Sequence, residues 1–163
     1  MRLAPLEVPG MPSPRRGPCR MLIETQVALA VPIETAWRAL IDLPAYERWN
    51  PYLTRIEGEA VGGAAIRVHA SVPGRAEPLI QDVQVLEVAP YAMRWEGGLP
   101  DRAQFRGDHW FVLARVGEHC TLDHFEEFDG ALAPAILAQH GETIRANFER
   151  FNAALKTYLE SRP

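Results

Sequence analysis

The stretch PAILAQHGETIRANFERFNAALKTYLE, Pro134–Glu160, decides how the rest of the chain is read. Leu137, His140, Ile144, Phe148, Phe151, Leu155 and Leu159 recur at steps of three and four, the spacing of one helical face. Glu142, Arg145, Glu149, Arg150 and Lys156 fall mostly off that stripe. At 1.5 Å per residue the helix is about 40 Å long, enough to cross a whole sheet. A long helix with one apolar stripe needs an apolar surface to cover.

The chain upstream supplies one. Residues 22–30 are rich in strand formers and stop before Pro32, which suits the first turn of a helix because its missing N–H is no loss there. Ile33, Ala36, Trp37, Leu40 and Ile41 then share one helical face, Pro44 stops that helix, and a second short one fits before Pro51. Strands are predicted near 53–60, 64–72, 78–88, 91–97, 103–115 and 120–129. Gly62-Gly63, Pro73-Gly74, Ala89-Pro90, Gly97-Gly98 and Gly117-Glu118 break them apart. Breaks so short make consecutive strands antiparallel neighbours, since a parallel pair needs a crossover of a dozen or more residues. The expected fold is α+β, a curved antiparallel sheet of about seven strands wrapped around the C-terminal helix.

Composition bounds the function. A chain of 163 residues, 47% hydrophobic and 23% charged, fits one domain with a sizeable core. The net charge is −4 and no basic stripe is present, which argues against nucleic-acid binding. No apolar run reaches the roughly 18 residues that span a bilayer, so integral membrane association is not expected. Two cysteines, Cys19 and Cys120, make no disulfide framework and suit a reducing cytoplasm. Residues 1–20 stand apart: five prolines and four arginines against Glu7 describe a disordered Pro/Arg-rich tail ahead of a single domain over 21–163.

In the hairpin 103–129, Phe105, Gly107, His109, Phe111 and Leu113 alternate with Arg106 and Asp108, so the odd positions face inward. On the return strand Leu122, His124, Glu126 and Phe128 form the inner set, with Thr121, Asp123 and Glu127 outside. A two-residue turn at Gly117-Glu118 pairs Leu113 with Leu122, Phe111 with His124, and His109 with Glu126. Opposed Cβ atoms lie about 4.5–5.5 Å apart, so an imidazole and a carboxyl can meet. A His109–Glu126 pair, with His124 diagonal to it, is the candidate acid–base or polar-anchor group. The alternative reading is a satisfied structural pair, since ion-pair networks also form without any catalytic role. Trp110 and Phe125 pair on the outer face, either as rings covering each other or as a homodimer contact.

Other chemistries lack their residues. His119, Cys120 and His124 have no further ligand at metal spacing, and positions 119 and 124 point to opposite faces, so no metal is expected. There is no phosphate-cradling glycine loop and no nucleophile elbow, and no cofactor is expected. Cys120 reads as a small apolar residue opening a strand.

Val31-Pro32-Ile33-Glu34-Thr35-Ala36-Trp37 and Asp42-Leu43-Pro44-Ala45-Tyr46-Glu47-Arg48-Trp49-Asn50-Pro51 resemble the START/Bet v 1-like helix-grip (SRPBCC) superfamily, in its bacterial polyketide cyclase/dehydrase-like branch. Glu87-Val88-Ala89-Pro90 with Met93 and Trp95, Gly107-Asp108-His109-Trp110-Phe111, and Glu127-Phe128-Asp129-Gly130 extend the resemblance over roughly 22–160. It implies a cavity between sheet and helix that holds an apolar or aromatic small molecule such as a lipid, isoprenoid or polyketide. Trp37 and Trp49 read as core. Trp95, His109, Phe111, His124, Glu126, Ile144 and Phe148 are the candidate ligand-facing residues, with His140 capping the far end. Two functions stay open, a carrier of such a ligand and an aromatase/cyclase or dehydratase that uses His109 and Glu126, with an accessory protein that recognises a partner through its surface as a third reading.

Overall fold

The computed structural model describes residues 21–161, and the expected tail over 1–20 lies outside them. Strand β1 (Met21–Leu29) leads through Pro32 into α1 (Ile33–Ile41) and a 3₁₀ turn (Leu43–Arg48). Then come β2 (Leu53–Glu57), β3 (Ala65–Ala70), β4 (Leu79–Ala89), β5 (Ala92–Gly98), β6 (Arg106–Val116) and β7 (His119–Asp129). Helix α2 (Ala133–Glu160) closes the fold. The seven strands form one antiparallel sheet in the order β1-β7-β6-β5-β4-β3-β2, curled as a half-barrel around α2 in a helix-grip fold.

Three strands, β2, β3 and β6, are shorter than expected, and for β2 and β6 the local reasons are plain. β2 ends at Glu57 because Gly58 takes φ +117°, and a Cβ there would lie 2.7 Å from Ile66 Cγ2. β6 begins only at Arg106, since Asp101 organises a turn: its Oδ1 accepts from Ala103 N at 3.0 Å and its carbonyl from Gln104 N at 3.0 Å. The Gln104 carbonyl in turn accepts from Leu132 N at 2.8 Å, tying this loop to the start of α2.

The core lies between sheet and helix. Leu29, Val85, Met93, Phe111, Leu113, Leu122, Phe151 and Leu155 are buried in one cluster, and Ile23, Phe128, Ala133 and Phe148 form a second toward the start of α2. Trp37 and Trp49 pack against the first cluster, as expected. α2 also covers the open edge of β1, where unpaired backbone groups would otherwise face solvent. Arg145 Nη1 donates to Glu24 O at 2.7 Å and Lys156 Nζ to Ala28 O at 2.9 Å, while Glu160 Oε1 accepts from Ala30 N at 2.8 Å. Among the described residues no helix is long and apolar enough to cross a membrane.

Candidate functional site

The tight turn at Gly117 (φ +62°) fixes the β6–β7 register, and with it the site. Leu113 opposes Leu122, Phe111 opposes His124 and His109 opposes Glu126, as the alternation predicts. All of these turn toward α2. On the opposite face Trp110 and Phe125 stack at 5.8 Å with Arg94 lying 4.9 Å over the Trp110 ring, and Trp110 is buried. Glu127 shares that face, though it too is buried rather than solvated.

The polar contacts on the inner face differ from the expected pair. His109 and Glu126 do approach, with Nδ1 3.8 Å from Oε2, but this exceeds hydrogen-bond length. The direct bond of His109 runs diagonally: its Nε2 lies 2.6 Å from His124 Nε2. From there the connection continues inward. His124 Nδ1 is 2.8 Å from Asn152 Oδ1 on α2, and Asn152 Nδ2 donates to Thr25 Oγ1 at 2.9 Å. Thr25 Oγ1 donates back to the His124 carbonyl at 2.9 Å. Four residues from β1, β6, β7 and α2 thus make one hydrogen-bonded line through an apolar interior, with Glu126 next to its His109 end.

Asn152 and Thr25 were missed in the sequence, although both carried a signal. Asn152 sits between Phe148 and Leu155 on the apolar stripe of α2, and Thr25 alternates with Ile23 and Val27 on the inner side of β1. A polar side chain in either place has to find a partner.

Aromatic rings enclose the line. His124 packs against Phe148 at 4.4 Å and Phe151 at 4.7 Å, and His109 against Phe111 at 4.7 Å, Phe148 at 4.8 Å and Trp95 at 5.4 Å. Trp95, His109, Phe111, His124, Glu126 and Phe148 are therefore brought together, and Ile144 packs half-buried beside Phe148 in the second cluster. His140 is not among them. It is exposed, because a helix turns about 100° per residue and the inner stripe passes through Gly141 instead. A Cβ on Gly141 would lie 3.9 Å from Ile23 Cδ1 on β1.

Burial sets the protonation states. It holds His109 well below the ordinary histidine range, with His124 beside it adding to the effect. His124 is pushed down to about 3 by burial, against the hydrogen bond its Nδ1 makes to the Asn152 amide oxygen. Glu126 moves the other way, up to about 8, through burial and then the nearby charge of Asp108. The site at neutral pH thus contains two uncharged imidazoles and a largely protonated carboxyl. Glu126 is also the accessible end of the line, its side chain 17% exposed against 6% for His109. Tyr52, packed on the second cluster, has its phenol pushed up by burial and by Glu126.

A groove of about 410 Å³ opens between β1 and the first half of α2, lined by Met21, Leu22, Ile23, Leu137, Gly141, Glu142 and Arg145. Ile23 is the register partner of Glu126, so the groove lies one strand from the carboxyl. Among the described residues no three His, Cys, Asp or Glu side chains gather as a metal site. Arg67 and Asp82, whose orientation the sequence leaves open, pair across β3 and β4 at 2.8 Å on the surface. Cys120 is buried at the start of β7, where burial raises its thiol.

Solved structures share this fold. The aromatase/cyclase ZhuI from Streptomyces sp. R1128 superposes with a TM-score of 0.71 at 17% identity, over 88% of this chain and 96% of that one. A START superfamily protein from Mycobacterium smegmatis gives 0.65 at 18% identity, over 86% and 97%. DynU16, from the dynemicin biosynthetic locus, gives 0.63 at 20% identity over 86% of this chain, which spans only 47% of DynU16. No curated protein matches the chain in sequence. Residues 20–160 match the family described as polyketide cyclase/dehydrase and lipid transport, and the chain belongs to that family.

Proposed function

We propose that this protein binds an apolar or aromatic small molecule between the curled sheet and α2, with the Glu126 carboxyl as its polar contact. One observation carries this reading: a partly accessible carboxyl, pushed up to about 8, is set in a wall of aliphatic and aromatic side chains. A neutral carboxyl donates a hydrogen bond to a carbonyl or hydroxyl oxygen without bringing a charge into apolar surroundings. The groove beside Ile23 supplies an approach to it. The buried Cys120 thiol, free among the described residues, suits a reducing cytoplasm as the setting.

The test is native mass spectrometry of protein purified gently from its own host, with the small molecule released on denaturation identified. A discrete retained apolar compound, lost from a Glu126→Gln variant of unchanged fold, is the expected result. A bare protein mass, with no saturable melting shift across a panel of lipids, isoprenoids and aromatic polyketides, would overturn the reading.

An aromatase/cyclase or dehydratase is the second reading. It is favoured by the acid Glu126 standing 3.8 Å from an uncharged imidazole, a pairing that suits proton transfer within a bound poly-keto chain. Turnover of such a substrate, abolished in His109→Ala while the substrate still binds, would separate enzyme from carrier.

A further inference from the structure

We propose that Thr25 and Asn152 are positioning residues that fix the tautomers of both buried histidines, so that His109 turns a bare Nδ1 toward Glu126 and the two can exchange one proton.

The polarity follows from counting donors. Thr25 has a single hydroxyl proton and gives it to the His124 carbonyl at 2.9 Å. Its oxygen is then an acceptor, and Asn152 must present Nδ2 to it. That orientation leaves Asn152 Oδ1 facing His124 Nδ1 at 2.8 Å, where it can only accept, so Nδ1 of His124 carries the proton. His124 is neutral, which leaves its Nε2 bare. Across 2.6 Å that nitrogen needs a donor, and His109 Nε2 is the atom there. His109 is neutral as well, so its remaining nitrogen, Nδ1, carries a lone pair and lies 3.8 Å from Glu126 Oε2. The polarity is set at a main-chain carbonyl and runs through four side chains to the accessible end of the site.

The consequence for Glu126 is specific. With its proton on, it is an acid toward a ligand oxygen. When the side chains close by about 1 Å to hydrogen-bond distance, Oε2–H donates to His109 Nδ1, which opens the path for the proton, while burial, raising Glu126 and lowering His109, keeps it on the carboxyl at rest. On transfer, carboxylic acid and imidazole become carboxylate and imidazolium, the net charge of the pair stays zero, and Glu126 becomes a base. Were His109 in its other tautomer, Nδ1 would carry a proton and this exchange would be closed. Around the pair the titratable groups are His124 from β7, Asp108 beside His109 on β6, and Tyr52 before β2. β1 and α2 contribute uncharged Ile23 and Phe148.

This deepens the ligand-binding reading and rests on it for what Glu126 meets, whereas the tautomers exist without any ligand. The experiment is a long-range proton–nitrogen NMR correlation of the imidazoles in the ¹⁵N-labelled full chain, free of ligand, near pH 7. The expected spectrum shows His124 protonated at Nδ1 and His109 at Nε2, with neither titrating between pH 5 and 8. Thr25→Val and Asn152→Ala, each with an unchanged backbone spectrum, should bring up the opposite tautomer at His109, a change that mere loss of packing would not produce. His109 protonated at Nδ1 in the unaltered protein would overturn the proposal, as would both variants leaving the tautomers unmoved. Should Asn152→Ala fail to fold, the unaltered protein and Thr25→Val still decide. Failure of the ligand search would leave these spectra unaffected, so the two ideas stand or fall separately.

Discussion

Glu126 Oε1 lies 2.0 Å from the point where a Cβ on Gly107 would stand, and its Cδ lies 2.9 Å from the same point. Gly107 has no positive φ, so it is glycine for space rather than for backbone freedom. The carboxyl is seated over a bare stretch of β6, which keeps it beside His109 within the apolar wall.

Gly107→Ala should therefore push the carboxyl off its seat. The cost expected of such overpacking is about 1–3 kcal/mol, read from urea unfolding. In a Glu126→Ala background the same substitution should cost less, with a coupling of roughly 0.5–3 kcal/mol between the two sites. Equal costs in both backgrounds would mean that the carboxyl is not what fills the space.

The buried groups also predict a stability optimum in pH. From about 4.5 to 6.5 the unfolded chain binds two histidine protons that the fold excludes, while the fold keeps one on Glu126 that the unfolded chain releases. One extra proton on the unfolded side makes stability rise with pH by about 1.4 kcal/mol per unit. From 6.5 to about 8 only Glu126 is unbalanced, now on the folded side, and stability falls by a similar slope. Unfolding free energies measured across pH 4–9 should peak near 6.5, and Glu126→Gln should flatten the alkaline limb and about double the slope of the acid limb, where Glu126 no longer offsets one of the two histidine protons. A peak that persists unchanged in that variant would place the effect elsewhere.

How far the sequence reached is visible in this hairpin. Strict alternation and a two-residue turn were enough to oppose His109 and Glu126, because a register slip would have put every inner side chain on the outer face. Opposition in a register does not decide which tips bond, and here the diagonal His109–His124 contact takes the hydrogen bond. The residues that complete the line, Thr25 and Asn152, lie 127 positions apart and meet only through the packing of α2 on β1, which no local pattern encodes. Stepping in threes and fours from Leu137 puts His140 inward. Over the two turns to Phe148 the accumulated rotation puts it on the flank.

Tyr46 offers a test of a different joint. The Leu40 carbonyl near the end of α1 would ordinarily accept from the residue four positions on, but that residue is Pro44, which has no N–H. Tyr46 Oη donates to it instead at 2.8 Å, from a fully buried ring. Tyr46→Phe keeps the ring and orphans the carbonyl, at an expected cost of about 1–3 kcal/mol. Chemical denaturation should show a lower midpoint with an unchanged slope. A variant as stable as the parent would mean the carbonyl finds another donor.

Phe148 and His140, two turns apart on α2, should respond in opposite ways. Phe148 has no exposed surface and packs 4.4 Å from His124 and 4.8 Å from His109, so Phe148→Ala leaves a cavity against the imidazole pair. The expected loss is about 3–5 kcal/mol, whereas exposed His140→Ala should stay within about 0.5 kcal/mol. The cavity has an electrostatic consequence too. Part of what keeps His124 uncharged is the ring laid across it, and opening that side to water relieves the burial that pushes it down to about 3. In Phe148→Ala, His124 should titrate closer to its ordinary 6.5, followed by NMR, while His140→Ala leaves the His124 titration unmoved. An unmoved His124 in Phe148→Ala would show that Phe151 and Phe111, at 4.7 Å each, suffice to keep it dry.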